Sequence, residues 1–502
     1  MSSAINYAAG KTRANNGTLA LGPNGDLLVH CDQAAGSVHM ILDVSGYLET
    51  TGNPVGGGAP VWTKWYGGSG EDDGRSVAVD PSGNVAVAGN YQGIVDFGAG
   101  AMTSYVVPGN GPTADAFVAR YSSSGGVSWS RGMGGDNSDA AMGVAVSSAG
   151  DVVVTGYQMS TSADYGGGLL SNRGGTDIFL AKYAGASGGY LWAKMIGGTG
   201  YDSGTSVAVD GGGNVYLTGY FDVSASGVDF GGGPLLSAGA RDVFLVKYSA
   251  AGAHVWSKRF GSTGQDSGSS VAVDASGNVF VTGTFNGSIN LGGASLTSAG
   301  GVDIFVAKFS ATGAHLWSKG FGGTSTDAVR GMAVDGVGDV VLTGQFLNTI
   351  SFGGTALTSA GFEDIFLAKL SGAAGDHLWS KRFGSDSTTD AGYGVAVDSS
   401  GNVAMTGFYG PSADFEGGIV IAQGYDIFVA KYNSAGGYIS ARRYGDPAGQ
   451  YEGQFGDAIA MSGGGNIYVT GHFVGTLTFG AGGQKTSTQF GGNDAFLASI
   501  GP

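Results

Sequence analysis

Asp303-Ile-Phe-Val-Ala-Lys308 decides the fold, because the chain repeats it. Its relatives are Asp115-Ala-Phe-Val-Ala-Arg120, Asp177-Ile-Phe-Leu-Ala-Lys182, Asp242-Val-Phe-Leu-Val-Lys247, Asp364-Ile-Phe-Leu-Ala-Lys369, Asp426-Ile-Phe-Val-Ala-Lys431 and Asp494-Ala-Phe-Leu-Ala-Ser499. The seven copies are spaced by 61 to 68 residues, and self-similarity at a fixed period means one supersecondary unit stacked on itself. Around each copy stand three more short runs. In one unit these are Ser206-Val-Ala-Val-Asp210, Asn214-Val-Tyr-Leu-Thr-Gly-Tyr220 and, after Asp242–Tyr248, Val255-Trp-Ser-Lys-Arg-Phe260. Each run is rich in Val, Phe and Tyr and bounded by Gly, Ser, Asn or Asp, the pattern of a strand between turns. No window shows a capped 3.6-residue period. The expectation is an all-β chain: a seven-bladed β-propeller of four-stranded antiparallel blades.

The ends of the pattern specify how the ring shuts. A lone Trp strand, Val61-Trp-Thr-Lys-Trp-Tyr66, precedes the first unit, and the last unit stops at Asp494–Ser499 with no Trp strand after it. Residues 61–66 are therefore expected to complete the seventh blade and remove two open edges. The chain then divides into a β appendage over 1–50, a Gly/Pro linker over 51–60 and the propeller over 61–502.

These units resemble the bacterial propeller repeats called SBBP. The likeness rests on Trp256-Ser-Lys258, Val271-Ala-Val-Asp274, Gly277-Asn-Val-Phe-Val-Thr-Gly283 and the Asp-x-Phe-x-Ala-Lys strands, and it covers roughly residues 61–499. It implies an extracellular or bacterial cell-surface protein and no reaction, since propellers host many unrelated functions. Within 1–50, Ala35-Gly-Ser-Val-His39 and Leu42-Asp-Val-Ser-Gly-Tyr47 resemble part of a small β domain of bacterial surface proteins.

Composition excludes several classes. Gly supplies 100 of 502 residues without a Gly-X-Y period, so these glycines are turns rather than collagen. A formal charge of −16 with no basic stripe argues against nucleic acid. No run approaches the roughly 18 apolar residues that cross a bilayer, so membrane insertion is not expected. The N-terminus lacks the basic-then-apolar order of a signal peptide. Cys31 stands alone, which excludes an intrachain disulfide and a thiolate metal cluster.

Several motifs imitate chemistry. Gly197-Gly-Thr-Gly-Tyr-Asp-Ser-Gly204 and its relatives look like phosphate loops, but no helix or Lys-Ser/Thr follows. They also look like calcium repeats, but those need tandem copies every nine residues. The simpler reading has Asp72, Asp139, Asp202, Asp266, Asp327 and Asp390 accepting backbone N–H bonds in the loop, with Gln454 at the seventh position. The seven strand-leading Asp residues radiate on different blades, too far apart for paired acid–base work. His254, His315 and His377 fall on equivalent turns of three blades and cannot share one ion. No metal, cofactor or catalytic residue is expected.

What varies inside a fixed frame is free to serve a ligand. Two residues before the first apolar residue of each inner strand stand Arg75, Met142, Thr205, Ser269, Arg330, Tyr393 and Asp457. These are expected to ring the channel mouth, and Arg75, Arg330, Tyr393 and Asp457 are the candidate ligand-binding residues. The connection Tyr105–Thr113 and the pair Arg442-Arg443 near Tyr451–Phe455 also break the period. The leading functional expectation is a non-enzymatic binding or surface-scaffold protein whose ligand is a protein or a glycan. Alternatives are self-association into a surface layer or fibre through residues 1–50, and a hydrolase or lyase with a site in the axial channel.

Overall fold

A computed structural model describes residues 60–502 apart from 69, 386, 423, 447–452 and 488–491. The expectations for residues 1–50 and for the linker up to 59, Cys31 among them, lie outside the described residues. The strand assigned to 61–66 begins one residue earlier, at Pro60.

Seven four-stranded antiparallel sheets form the chain, with short two-stranded hairpins beside them. In the third blade the inner, second, third and outer strands are Ser203–Val209, Val215–Asp222, Arg241–Tyr248 and His254–Phe260. The order across each sheet follows the chain in six blades and departs from it in the seventh. There the outer strand is Pro60–Tyr66, paired with Asp494–Ile500 in the register Trp62 to Ser499, Lys64 to Leu497 and Tyr66 to Ala495. Each inner strand packs against the inner strand of the next blade, and that of the seventh, Gln454–Met461, packs against that of the first, Asp73–Val79. The ring is closed. Among the described residues the helical content is one 3-10 turn, Gly480–Gly482.

Second and third strands are flanked by neighbouring blades on both faces, which is why they read as continuous apolar runs rather than alternating ones. Asp177–Tyr183 is buried at every position. The core is accordingly a set of seven interblade clusters: one joins Ile178 and Leu180 of the second blade to Val207, Leu217 and Phe244 of the third. Burying such side chains contributes about 1.5–3 kcal/mol each.

Repeated residues stitch each blade to the next. The strand Trp reaches forward to a backbone carbonyl of the following blade: Trp62 to Ser123 (3.0 Å), Trp192 to Ala250 (3.2 Å), Trp256 to Ala311 (3.4 Å), Trp317 to Gly372 (3.1 Å) and Trp379 to Ser434 (3.2 Å). The third-strand Lys joins it, as Lys308 Nζ donates to the Gly372 carbonyl at 2.9 Å and lies 3.5 Å from Asp274. The loop Asp residues do accept backbone N–H bonds. Asp202 takes them from Gly198 (2.7 Å) and Asp222 (2.9 Å), and Asp390 from Ser385 (2.9 Å) and Gly410 (2.8 Å).

One irregularity is copied in every blade. Each inner strand carries a β-bulge, one extra residue that breaks its register with the second strand. The bulge turns a carbonyl toward the facing strand, so a Cβ on Gly219 or Gly344 would overlap the oxygen of Ser203 or Ala328. This is the physical reason for Gly in the Thr-Gly pair of the second strand.

Candidate functional site

The bulged residues are Arg75, Met142, Thr205, Ser269, Arg330, Tyr393 and Asp457, the variable ring of the sequence. A bulge re-aims the side chain it carries, and all seven stay at least partly exposed among buried neighbours. The fold thus supplies one adjustable position per blade at the same height around the axis.

The ring is not uniform. Thr205 spends its hydroxyl on the Gly268 carbonyl of the next blade at 2.7 Å, and Met142 and Ser269 are uncharged. From the fifth blade through the sixth and seventh to the first, by contrast, the side chains form a continuous arc. The Arg330 guanidinium lies 5.7 Å from the centre of the Tyr393 ring. Tyr393 meets Phe408 edge to face at 5.4 Å, and Phe408 meets Tyr425 at 5.3 Å and Phe455 at 4.9 Å. Phe455 stacks on His472 with centroids 4.9 Å apart. His472 Nδ1 is 2.7 Å from Asp457 Oδ2 and 3.7 Å from Asp73 Oδ1. Arg75 closes the arc, donating to Asp73 Oδ2 at 2.8 Å and to Asn90 Oδ1 at 2.6 Å.

All four candidate residues therefore lie on this arc, Arg330 with Tyr393 at one end and Asp457 with Arg75, through His472 and Asp73, at the other. Phe408, Tyr425, His472 and Asp73 are not among the candidates, and Phe455 entered only as the end of the period-breaking segment Tyr451–Phe455. A signal for two of them was present. The residue after the second-strand Gly also varies inside its frame: Asn90, Tyr157, Tyr220, Thr284, Gln345, Phe408 and His472. It pairs across the sheet with the residue two places before the bulge, as His472 does with Phe455 and Asn90 with Asp73.

Burial pushes the His472 imidazole down, but the charge and hydrogen bond of Asp457, with Asp73 behind, outweigh it and hold the ring above its ordinary value. Burial raises the Tyr393 phenol, with Asp457 adding to the rise and Arg330 opposing it. Other expected breaks in the period do different work. Arg443 is committed to the buried Asp426 and to the Asp446 carbonyl. Tyr105–Thr113 folds into an added hairpin, Val106–Val107 against Gly111–Pro112. His315 and His377 donate to or accept from Ser318 and Ser380, at 3.1 and 3.0 Å, within their own outer strands. Among the described residues no three His, Cys, Asp or Glu side chains gather as metal ligands would.

The junction between the sixth and seventh blades sits under this arc and departs from the others. Ser440 occupies the register position of the strand Trp, opposite Lys431. Gln454 replaces the loop Asp, and with its amide turned to fit, its nitrogen donates to the Tyr425 carbonyl (3.1 Å) and to Asp426 Oδ1 (2.8 Å).

Comparison with a family model agrees with the propeller repeat. The family model SBBP, beta-propeller repeat, matches residues 191–220 and 255–290, in the second to fourth blades. Regulatory protein FlaEY of Caulobacter vibrioides is 28% identical over 415 residues, covering 75% of this chain and 42% of that protein. An uncharacterized WD repeat-containing protein, L264 of Acanthamoeba polyphaga mimivirus, is 25% identical over 389 residues, 62% of this chain and 27% of the relative. The chain thus spans less than half the length of either relative. Among solved structures, quinohemoprotein alcohol dehydrogenase from Comamonas testosteroni aligns with a TM-score of 0.40 at 11% identity, covering 88% of this chain and 76% of that one.

Proposed function

We propose that this chain of SBBP-type propeller repeats is a non-enzymatic binding protein, extracellular or at a bacterial cell surface, that holds a protein or glycan on the arc from Arg330 to Arg75. The observation that carries this reading is the concentration of variable charged and aromatic residues on four consecutive blades, at a position that every blade re-aims by a bulge. Aromatic rings offer apolar faces at low conformational cost, and polar groups at their edge fix orientation. Tyr393, Tyr425 and Phe455 are half-buried, so each presents surface while its neighbours hold it.

A second reading draws on one contact. The His472–Asp457 pair at 2.7 Å is an acid–base element, and a hydrolase or lyase at the mouth would use it. The groups around His472 are the carboxylates of Asp457 and Asp73, and Asp73 is already engaged by Arg75 and Asn90, which favours the binding reading.

The test is to screen the full chain and a Tyr393→Ala/Phe455→Ala variant against immobilised glycans and bacterial surface proteins. A ligand held by the wild type and lost by the folded variant is the expected result. Binding that survives both substitutions would move the site elsewhere, and turnover abolished by His472→Gln would replace binding with catalysis.

A further inference from the structure

Six of the seven junctions between blades bury two aspartates side by side, one leading a third strand and one from the loop entering the next inner strand. The pairs are Asp115 with Asp139, Asp177 with Asp202, Asp242 with Asp266, Asp303 with Asp327, Asp364 with Asp390 and Asp494 with Asp72, and every member is buried. At the fifth junction, Asp364 Oδ1 and Asp390 Oδ2 lie 2.5 and 2.8 Å from the point that a Cβ on Gly384 would take. The two oxygens are therefore separated by at most the sum of those distances, 5.3 Å. Asp177 with Asp202 and Asp242 with Asp266 crowd Gly197 and Gly261 in the same way.

Backbone N–H groups satisfy only part of these carboxylates. Asp303 Oδ2 accepts from Ala299 at 2.7 Å while its Oδ1 is buried with no partner, and Asp327 Oδ2 accepts from Gly323 at 2.8 Å with only a weak further contact from the Leu347 N–H. Oδ1 of Asp177, Asp242 and Asp364 is likewise buried with no partner. A buried anionic oxygen without a donor, facing a second carboxylate, is unfavourable twice over, by desolvation and by repulsion. A single proton removes both costs, because the resulting O–H donates to the opposite oxygen.

The remaining junction, between the sixth and seventh blades, supplies the internal control. Gln454 stands where the other loops have Asp, and its amide N–H donates to Asp426 Oδ1 at 2.8 Å. A permanent donor does there what the second to fifth junctions leave undone, whereas at the first the Asp139 carboxylate already accepts the Ser160 hydroxyl at 2.5 Å and three backbone N–H groups.

We propose that each of the four Asp–Asp junctions from the second to the fifth holds one proton between its two carboxylates, so that the ring tightens in weak acid and loosens as the medium turns alkaline, while the junction built on Gln454 stands outside this switch. The charged and titratable neighbours set the spread among junctions. Arg259 and Arg382 contact Oδ2 of Asp242 and Asp364, at 2.7 and 2.5 Å, leaving Oδ1 bare. Arg173 opposes the rise at Asp177, whereas Asp222 adds to it at Asp202 and Asp73 at Asp72. Tyr91 and Tyr165 face the first pair and are raised chiefly by burial, with the carboxylates of that pair adding to the rise. Burial is the largest influence throughout, pushing Asp72, Asp115 and Asp390 up to about 7 and Asp177, Asp202, Asp266 and Asp327 up to about 6. Carboxyls raised in this way give stabilisation that is complete below their unfolded value near 3.8 and is lost as pH rises through 6 to 7.

Thermal unfolding of the full chain between pH 4.5 and 8.5, with chelator and with added calcium, tests this directly. The wild-type midpoint is expected to fall from pH 4.5 to about 7 and to level off above it, a double variant Asp266→Asn/Asp327→Asn to lose up to about half of that dependence, and Gln454→Asp to steepen it. Carbon-13 spectra of labelled aspartate carboxyls in the wild type provide a readout that does not need a variant to fold, and several are expected to titrate above pH 5.5. A flat profile, or carboxyls all ionised below pH 5, would overturn the proposal. Calcium that raises the midpoint and abolishes the pH dependence would also overturn it, by putting a cation where the proton is assigned.

Discussion

The junction between the fourth and fifth blades and that between the sixth and seventh are built on the same backbone and filled differently. The first has the full set of repeated contacts: Trp317 and Lys308 both donate to the Gly372 carbonyl, and Asp303 lies beside Asp327. The second has Ser440 in place of Trp and Gln454 in place of Asp, and the rings of Phe408, Tyr425 and Phe455 gather over it. Residues that recur serve the ring, and the place where they lapse is the place where unrepeated chemistry collects. At this one seam the Trp clasp is absent and Gln454 and Arg443 hold Asp426 instead, so the side chains above it are not those of the repeat.

The largest test of this contrast is removal of a clasp from the regular junction. Trp317→Ala is expected to destabilise the fold by about 4 kcal/mol in urea unfolding, mainly through lost burial, with Lys308 left as the donor to the Gly372 carbonyl. A cost near zero would mean that the Trp contacts do not hold the blades together. Gly344→Ala follows, since its methyl would overlap the Ala328 carbonyl; a loss of about 3 kcal/mol is expected from overpacking. If that variant unfolds like the wild type, the bulge does not constrain the facing strand.

The converse experiment repairs the irregular seam. Ser440→Trp should raise stability by about 1 kcal/mol if the missing clasp can reform, as a new hydrogen bond and its burial would give. Asp457→Asn probes the arc itself by proton NMR of His472. With its carboxylate partner gone, the imidazole is expected to titrate lower than in the wild type. In the wild type the imidazole is held above its ordinary 6.5, so the stabilisation it gives is complete below that value and fades as pH climbs through the raised one. The variant should lose this acid-side stabilisation. The smallest expected effect is that of Arg330→Ala, under about 0.5 kcal/mol in unfolding because the side chain is exposed, beside a clear loss of any ligand held at the mouth. A large loss of stability would make Arg330 part of the frame instead.

Most of the architecture was legible because copies can be compared inside one chain. Asp303-Ile-Phe-Val-Ala-Lys308 and its relatives gave the blade count, and the unmatched strands at the two ends pointed to residues 61–66 as the missing strand of the seventh blade, whose register with Asp494–Ile500 only the structure supplies. The adjustable ring was legible for the same reason, as variation stands out against a fixed frame. The bulge was not, since an extra residue leaves no mark in composition and only pairing reveals it. Phe408 and His472 were overlooked because an aromatic residue after Thr-Gly reads as one more strand residue. Tyr425 and Phe455 come from different blades and meet only when the ring is assembled. The aspartate pairs were read one residue at a time as turn devices, which they are, but their side-by-side burial depends on two blades at once.

The seventh blade also determines how the ring answers force. Pro60 pairs with Ile500 and Tyr66 with Ala495, so the chain enters and leaves the propeller at the same end of one antiparallel ladder. Tension between the two sides reaches the ring as a peel that opens cross-strand pairs one after another from Pro60, rather than as shear across all of them at once. The seventh blade is then the part that yields first, and the other six keep their sheets while it opens.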